Sequence, residues 1–332
     1  MTISKIAEHG ITRRGAFRLA AAAGAALAAP QIMVRPAQAA APMMGAAVPQ
    51  FYRFTLGDFE IVTLNDGSRA GDGPHPTFGA NQPADVVHAL LRENHLPEDK
   101  FVNGFTPTLV NTGSELVLFD TGLGAGARGA GMGRLTQALA AAGYTPDQVS
   151  VVVLTHFHPD HIGGMMEDGA PVFANARYVV GETEYNFWTA PERMSGPTER
   201  VAKLVEANIK PVAEKATMIK DGGSVVGGVT GMDAFGHTPG HMVYQVESAG
   251  RRLMLTADTA NHFVVSLQRP DWEVAFDVQK DVAAQTRRKV FDMIAAERIP
   301  FIGYHMPWPA IGFVENLDTG YRYVPNSYQV NL

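Results

Sequence analysis

Val149-Ser150-Val151-Val152-Val153-Leu154-Thr155-His156-Phe157-His158-Pro159-Asp160-His161 is the stretch whose reading decides the fold and the chemistry of this chain. An apolar, strand-like run ends in three imidazoles and a carboxylate packed into six residues. Imidazole nitrogen and carboxylate oxygen are good ligands for zinc and similar divalent ions. In extended backbone, residues two apart point the same way, so His156 and His158 can share one metal. Pro159 keeps His158 out of helical conformation and suits the first position of a helix. The chain therefore turns at Pro159 and aims Asp160 and His161 elsewhere. Two pairs facing two ways predict two metals.

Working outward, three further apolar runs each deliver a ligand-type side chain at their C-terminal edge. Met232–Phe235 leads to Gly236-His237, Leu253–Ala257 to Asp258, and Ile299–Tyr304 to His305. The C-terminal edge of a sheet is where layered α/β proteins assemble their sites. Helical patterns at Leu135–Ala142, Glu199–Ala207 and Asp281–Glu297 lie between strand-like runs, which predicts an α/β layered domain. Leu116–Phe119 reads as a short buried strand ending at Asp120-Thr121-Gly122. Tyr52–Leu64 reads as a strand hairpin around Gly57-Asp58, and the forty residues after it, through Asn103, read as loop.

The whole chain has 332 residues, 46% hydrophobic and 18% charged, with no cysteine and a formal charge of −6. Thiolate ligands, cysteine nucleophiles and disulfides are excluded, so any metal site is built from His, Asp and Glu. The acidic balance and the lack of a basic stripe argue against nucleic acid as a partner. No stretch in the body of the chain has transmembrane quality. Residues 1–39 read as an export signal. Thr12-Arg13-Arg14-Gly15-Ala16-Phe17 resembles the twin-arginine signature, Ala16–Ala29 is a mild Ala-rich stretch, and Ala37-Gln38-Ala39 offers a small-residue cleavage site. The predicted organisation is signal 1–39, linker 40–50 and one domain over 51–332. The resemblance of the signal implies a bacterial periplasmic protein.

The succession His-x-His-x-Asp-His, lone His, lone Asp and final His resembles the metallo-β-lactamase-fold hydrolases. Asp120-Thr121-Gly122 and Gly236-His237-Thr238-Pro239-Gly240-His241 match two further motifs of that superfamily. The resemblance implies a four-layer αββα sandwich. It implies that His156, His158 and His237 hold one metal, that Asp160, His161 and His305 hold the other, and that Asp258 bridges both. Asp120 would orient a ligand histidine. Two divalent ions, zinc in the first instance, would share a hydroxide that attacks the substrate, with Asp160 or Asp258 carrying a proton to the leaving oxygen.

Within the superfamily, Phe51-Tyr52-Arg53, Leu56–Ile61 and Gly320–Pro325 are similar to the termini of the methyl parathion hydrolase group and related lactonases. That likeness points to a lactone or carboxylic ester as substrate, N-acyl homoserine lactones included, and to a homodimer. Organophosphate triester hydrolysis is the first alternative, thioester hydrolysis a more distant one, and a non-catalytic metal-binding protein is the alternative of another class. Thr259-Ala260-Asn261-His262-Phe263 departs from the group's more aliphatic segment and is expected at the pocket border. His241 is assigned to support of its turn rather than to a metal, His262 to the pocket edge, and Trp188 is a candidate pocket wall.

Overall fold

Strand Val151–Leu154 is buried on both faces, and its side chains alternate between two cores. Val151 and Val153 pack into one cluster, Val152 and Leu154 into another. Strand Leu116–Phe119 divides in the same way, with Val117 and Phe119 turned one way and Leu116 and Leu118 the other. A strand apolar on both faces must be covered on both faces, which calls for a layered arrangement. The computed structural model describes residues 42–43 and 45–327, and the described residues from Val48 onward form one compact unit. The export signal read at 1–39 lies outside the described residues.

Two seven-stranded sheets make the frame. The first runs, in spatial order, Phe51–Leu56, Phe59–Leu64, Thr108–Asn111, Leu116–Phe119, Val151–Leu154, Arg177–Gly181 and Ala216–Ile219. The second runs in chain order from Ser224–Val226 through Val229–Asp233, Met242–Ser248, Arg251–Ala257, Phe301–Gly303 and Ile311–Leu317 to Gly320–Pro325. Val117, Phe119, Val151 and Val153 of the first sheet share a core with Val243, Val246 and Leu255 of the second. Helices Leu135–Ala141, Glu182–Thr189 and Glu199–Asn208 cover the outer face of the first sheet through Leu139, Trp188 and Val205. Helix Lys280–Glu297 packs on the second through Val290, Phe291 and Ile294. This is the αββα sandwich expected. Among the described residues no helix is long and apolar enough to cross a membrane.

The strand hairpin at 51–64 and the three helical patterns form where expected. One correction concerns residues 65–103. They hold helix Ala84–Glu93 and a two-stranded hairpin, Gly67–Asp72 against Lys100–Phe105. The strands of that hairpin carry glycine, asparagine and charge, so period-2 patterning is absent. Their pairing is made across a long insertion that no short-range signal marks. A smaller correction places the strand before His237 at Val229–Asp233, with Ala234–Gly236 already in the following turn.

Candidate metal centre

The backbone turn at Pro159 is present: His158 is extended with ψ 157° and Pro159–Ile162 form one helical turn. Asp160 sits inside that turn rather than at its N-cap. Strand Arg251–Ala257 ends at Asp258 and strand Phe301–Gly303 stops two residues before His305. Asp120 (φ 63°) and Ala257 (φ 42°) hold left-handed conformations rare for residues with a Cβ, one within the supporting motif and one directly before the proposed bridging Asp258.

The structure brings all seven expected residues together in two groups. One is His156, His158 and His237; the other is Asp160, His161, Asp258 and His305, each group's ligand atoms lying within 4.8 Å of one another. Asp258 touches both. Its Oδ2 lies 3.3 Å from His237 Nε2 and 3.0 Å from His305 Nε2, while Oδ1 lies 3.2 Å from His161 Nε2.

The outward hydrogen bonds set the tautomers. The Thr155 hydroxyl donates to Asp120 (2.9 Å), so it accepts from His156 Nδ1 (3.1 Å). His161 Nδ1 donates to Asp120 (2.8 Å), His237 Nδ1 to Asp277 (2.9 Å) and His305 Nδ1 to the Gly104 carbonyl (2.8 Å). In its neutral form, each of these four histidines therefore turns an Nε2 lone pair inward. His156 Nε2, His161 Nε2 and Asp258 Oδ1 are buried with no hydrogen-bond partner. Buried polar atoms are rarely left unpaired, and three that converge are what a cation would satisfy. The donor set thus fits two divalent ions.

His241 differs. Its Nε2 accepts from the Asp258 N–H (3.1 Å) and its Nδ1 donates to the Ala234 carbonyl (3.0 Å), so no lone pair is left for a metal. It supports the turn, as expected, and also fixes the backbone of Asp258.

Burial and neighbouring charge pull the histidines apart. Burial holds His156 and His158 well below the ordinary imidazole range. Burial acts the same way on His237, but Asp258 and Asp277 outweigh it and raise it to about 9. His161 is carried well above its usual value against burial by Asp258, Asp120 and Asp160. Asp258 is held well below the carboxylate range, with His305 and His161 overcoming its burial. The centre is built around one buried anion that gathers positive charge.

Two supports were not legible as such in the sequence. Glu184, fully buried, accepts four bonds: from the Phe157 N–H (2.8 Å), Trp188 Nε1 (2.8 Å), the Thr238 hydroxyl (2.7 Å) and the Gly240 N–H (3.0 Å). It clamps the loop of His156 and His158 to the loop of His237. A Cβ on Gly240 would come 2.0 Å from the Glu184 nitrogen, and one on Gly236 2.2 Å from that of Ala283. Only glycine allows these approaches. The second support is Asp277, whose other oxygen accepts from Arg287 (2.8 Å), a guanidinium that also bonds the carbonyls of Thr259 and Pro270. Both supports lie tens of residues from the ligands they serve, with no spacing to mark them.

A cavity of about 620 Å³ opens over the two groups, lined by His158, Asp160, His237, Asp258 and His305 below. Phe101 and Phe105 of the hairpin and Phe276 supply apolar wall. Three expectations are corrected here. Trp188 is buried in the outer core with its indole N–H on Glu184, and it does not line the cavity. Residues 259–263 do not line the cavity: Asn261 donates to Asp258 (2.8 Å), and Ala260 and Phe263 pack with the core between the sheets. His262 accepts from the N–H groups of Val264 and Val265 and so caps helix Val265–Gln268; burial lowers it to about 4.

Residues 106–299, more than half of the chain, match the model of the metallo-beta-lactamase superfamily. No curated protein matches the chain. Among solved structures it is similar to AidC, a dizinc quorum-quenching lactonase in complex with a product. The identity is 26% and the TM-score 0.76, covering 84% of this chain and 98% of that one. It is also similar to the hydrolase AbOPH of the beta lactamase superfamily (28%, TM-score 0.77, 85% and 99%). A probable metal-dependent hydrolase from Staphylococcus aureus shares the fold (23%, TM-score 0.65, 82% and 99%). The chain belongs to the metallo-beta-lactamase superfamily.

Proposed function

We propose that this member of the superfamily is a dinuclear zinc hydrolase of lactones and other carboxylic esters, N-acyl homoserine lactones among them. The observation that carries the reading is the convergence of seven ligand-type side chains, five of which line the floor of one partly apolar cavity. Its likeness to a dizinc lactonase along nearly that enzyme's whole length supports the substrate class. His156, His158 and His237 would hold one ion, Asp160, His161 and His305 the other, and Asp258 would bridge. Bound there, the ions supply a water acidified to near neutral pH and a Lewis acid for the substrate carbonyl.

The chain's own residues do the rest. Asp120, Asp277 and the Gly104 carbonyl hold the imidazoles of His161, His237 and His305 in ligating orientation, so little reorganisation accompanies reaction. Asp160 is the more open of the two carboxylates, its side chain 19% exposed against 3% for Asp258. It is therefore placed to pass a proton to the leaving oxygen. The Tyr304 hydroxyl is committed to the Asp160 carbonyl (2.5 Å) and steadies that turn. Phe101, Phe105 and Phe276 give an acyl chain an apolar surface.

The test is metal content per chain alongside initial rates on one lactone, one aryl ester and one phosphotriester. Two metals with lactone or ester turnover dominant is the expected result. No turnover of either by the two-metal protein overturns the reading, and a dominant phosphotriester rate replaces it with organophosphate hydrolysis. We further propose periplasmic export, on the twin-arginine-like stretch and the Ala37-Gln38-Ala39 site. A periplasmic fraction whose protein begins at Ala40 is the expected finding, and an intact Met1 terminus there would count against it.

A further inference from the structure

Most charged partners of the described arginines are close at hand. Arg92 pairs with Glu98, Arg128 with Glu167, Arg287 with Asp277 and Arg288 with Asp271. The side chains of Arg69 and Arg200 have neither an ion-pair nor a hydrogen-bond partner among the described residues, and both line the cavity above the metal-ligand groups. They arrive from separate elements, Arg69 from hairpin strand Gly67–Asp72 and Arg200 from helix Glu199–Asn208. The only carboxylate in that lining besides Asp160 and Asp258 is Asp72.

Two divalent ions against Asp160 and Asp258 leave the cavity floor positive. The two guanidinium groups add more positive charge than Asp72 removes. A lined cleft of one sign concentrates ligands of the other, and guanidinium matches carboxylate in shape as well as charge. A neutral acyl lactone offers a guanidinium only carbonyl oxygens and no charge to pair with.

We propose that Arg69 and Arg200 form an anion subsite of the hydrolytic cavity, selecting esters or lactones that carry a second, non-reacting carboxylate. The inference rests on the hydrolase reading and narrows its substrate class. Phe101, Phe105 and Phe276 in the same lining suit an apolar spacer between the reacting carbonyl and that carboxylate.

The experiment compares kcat/KM of the two-metal protein on the mono-p-nitrophenyl ester of glutaric acid and on p-nitrophenyl pentanoate. In the Arg69→Gln/Arg200→Gln protein the anionic-to-neutral ratio should fall about tenfold, as expected for losing two partly solvated charge contacts. In the unaltered protein the ratio should also fall as salt rises. A ratio unmoved by the double substitution and by salt overturns the subsite. Calorimetric binding of glutarate against butyrate to the zinc-loaded protein reads the same preference without turnover. Preference for glutarate that the double variant loses supports the subsite even if neither ester is hydrolysed, a result that would sink the hydrolase reading alone. Equal affinity for the two acids in the unaltered protein overturns the subsite.

Discussion

The two ligand groups are built on different principles. His156, His158 and His237 bring no negative charge, and they sit on two loops separated by about eighty residues of chain. Those loops are held together from outside the sheet by Glu184 on a covering helix, and His237 is oriented by the Asp277–Arg287 pair. Asp160, His161, Asp258 and His305 include two carboxylates, and their supports are Asp120 at a strand end and one hairpin carbonyl, with Thr155 tying His156 of the first group to the same Asp120. The first group depends mainly on helix packing for its geometry, with only His156 held at the sheet edge; the second depends on the sheet edge itself. The second should therefore be the tighter and more robust metal site, the first the one that distant changes disturb.

The largest effect belongs to the residue the groups share. Asp258→Ala should leave about one metal per chain and cut ester hydrolysis by ~10³-fold or more, since metal stabilisation of transition-state charge is worth several kcal/mol. Two metals retained in that variant would refute bridging. Glu184→Gln places an amide among four donors, so at least one buried donor loses its partner at about 1–3 kcal/mol. It should weaken the weaker of two binding steps by ~10–100-fold while the tighter survives in calorimetric titration. Asp120→Asn should do the reverse. If both variants weaken the same step, the division of labour between the supports is wrong.

Proton release sharpens the comparison further. In the metal-free protein His237, raised to about 9, holds a proton at pH 7, whereas ligation needs the neutral imidazole. Binding at pH 7 should thus expel at least one proton, and apparent affinity should rise with pH until about pH 9, the His237 proton alone contributing up to about tenfold per pH unit. Calorimetry in buffers of different ionisation enthalpy measures that release directly, and zero protons released would contradict it. The smallest effects are expected where a histidine has structural work only. His241→Ala should keep two metals, and His262→Ala should cost about 1 kcal/mol of stability through its lost helix cap, with metal content unchanged.

The centre was largely legible because its ligands lie at the ends of short apolar runs, where spacing and chain order carry the information. His156, His158 and the turn at Pro159 follow from local backbone rules alone. His241 and His237 share one motif, yet only hydrogen-bond partners separate support from ligand. Trp188 and His262 looked like pocket residues because aromatic and imidazole side chains suit pockets. Whether such a side chain faces a cavity or a core depends on what covers its helix.

From the sequence alone come the α/β layering, the two pairs at 156–161 and the exclusion of cysteine chemistry, since periodicity and spacing are local properties of the chain; the sandwich and the full set of seven ligand-type positions come from its resemblance to the metallo-β-lactamase-fold hydrolases. Tertiary structure alone decided that Glu184 clamps two loops, that Arg287 is buried to hold Asp277, and that Arg69 and Arg200 reach one cavity. These contacts join residues ten to more than a hundred positions apart, and a one-dimensional pattern holds no record of which distant donors will meet one carboxylate.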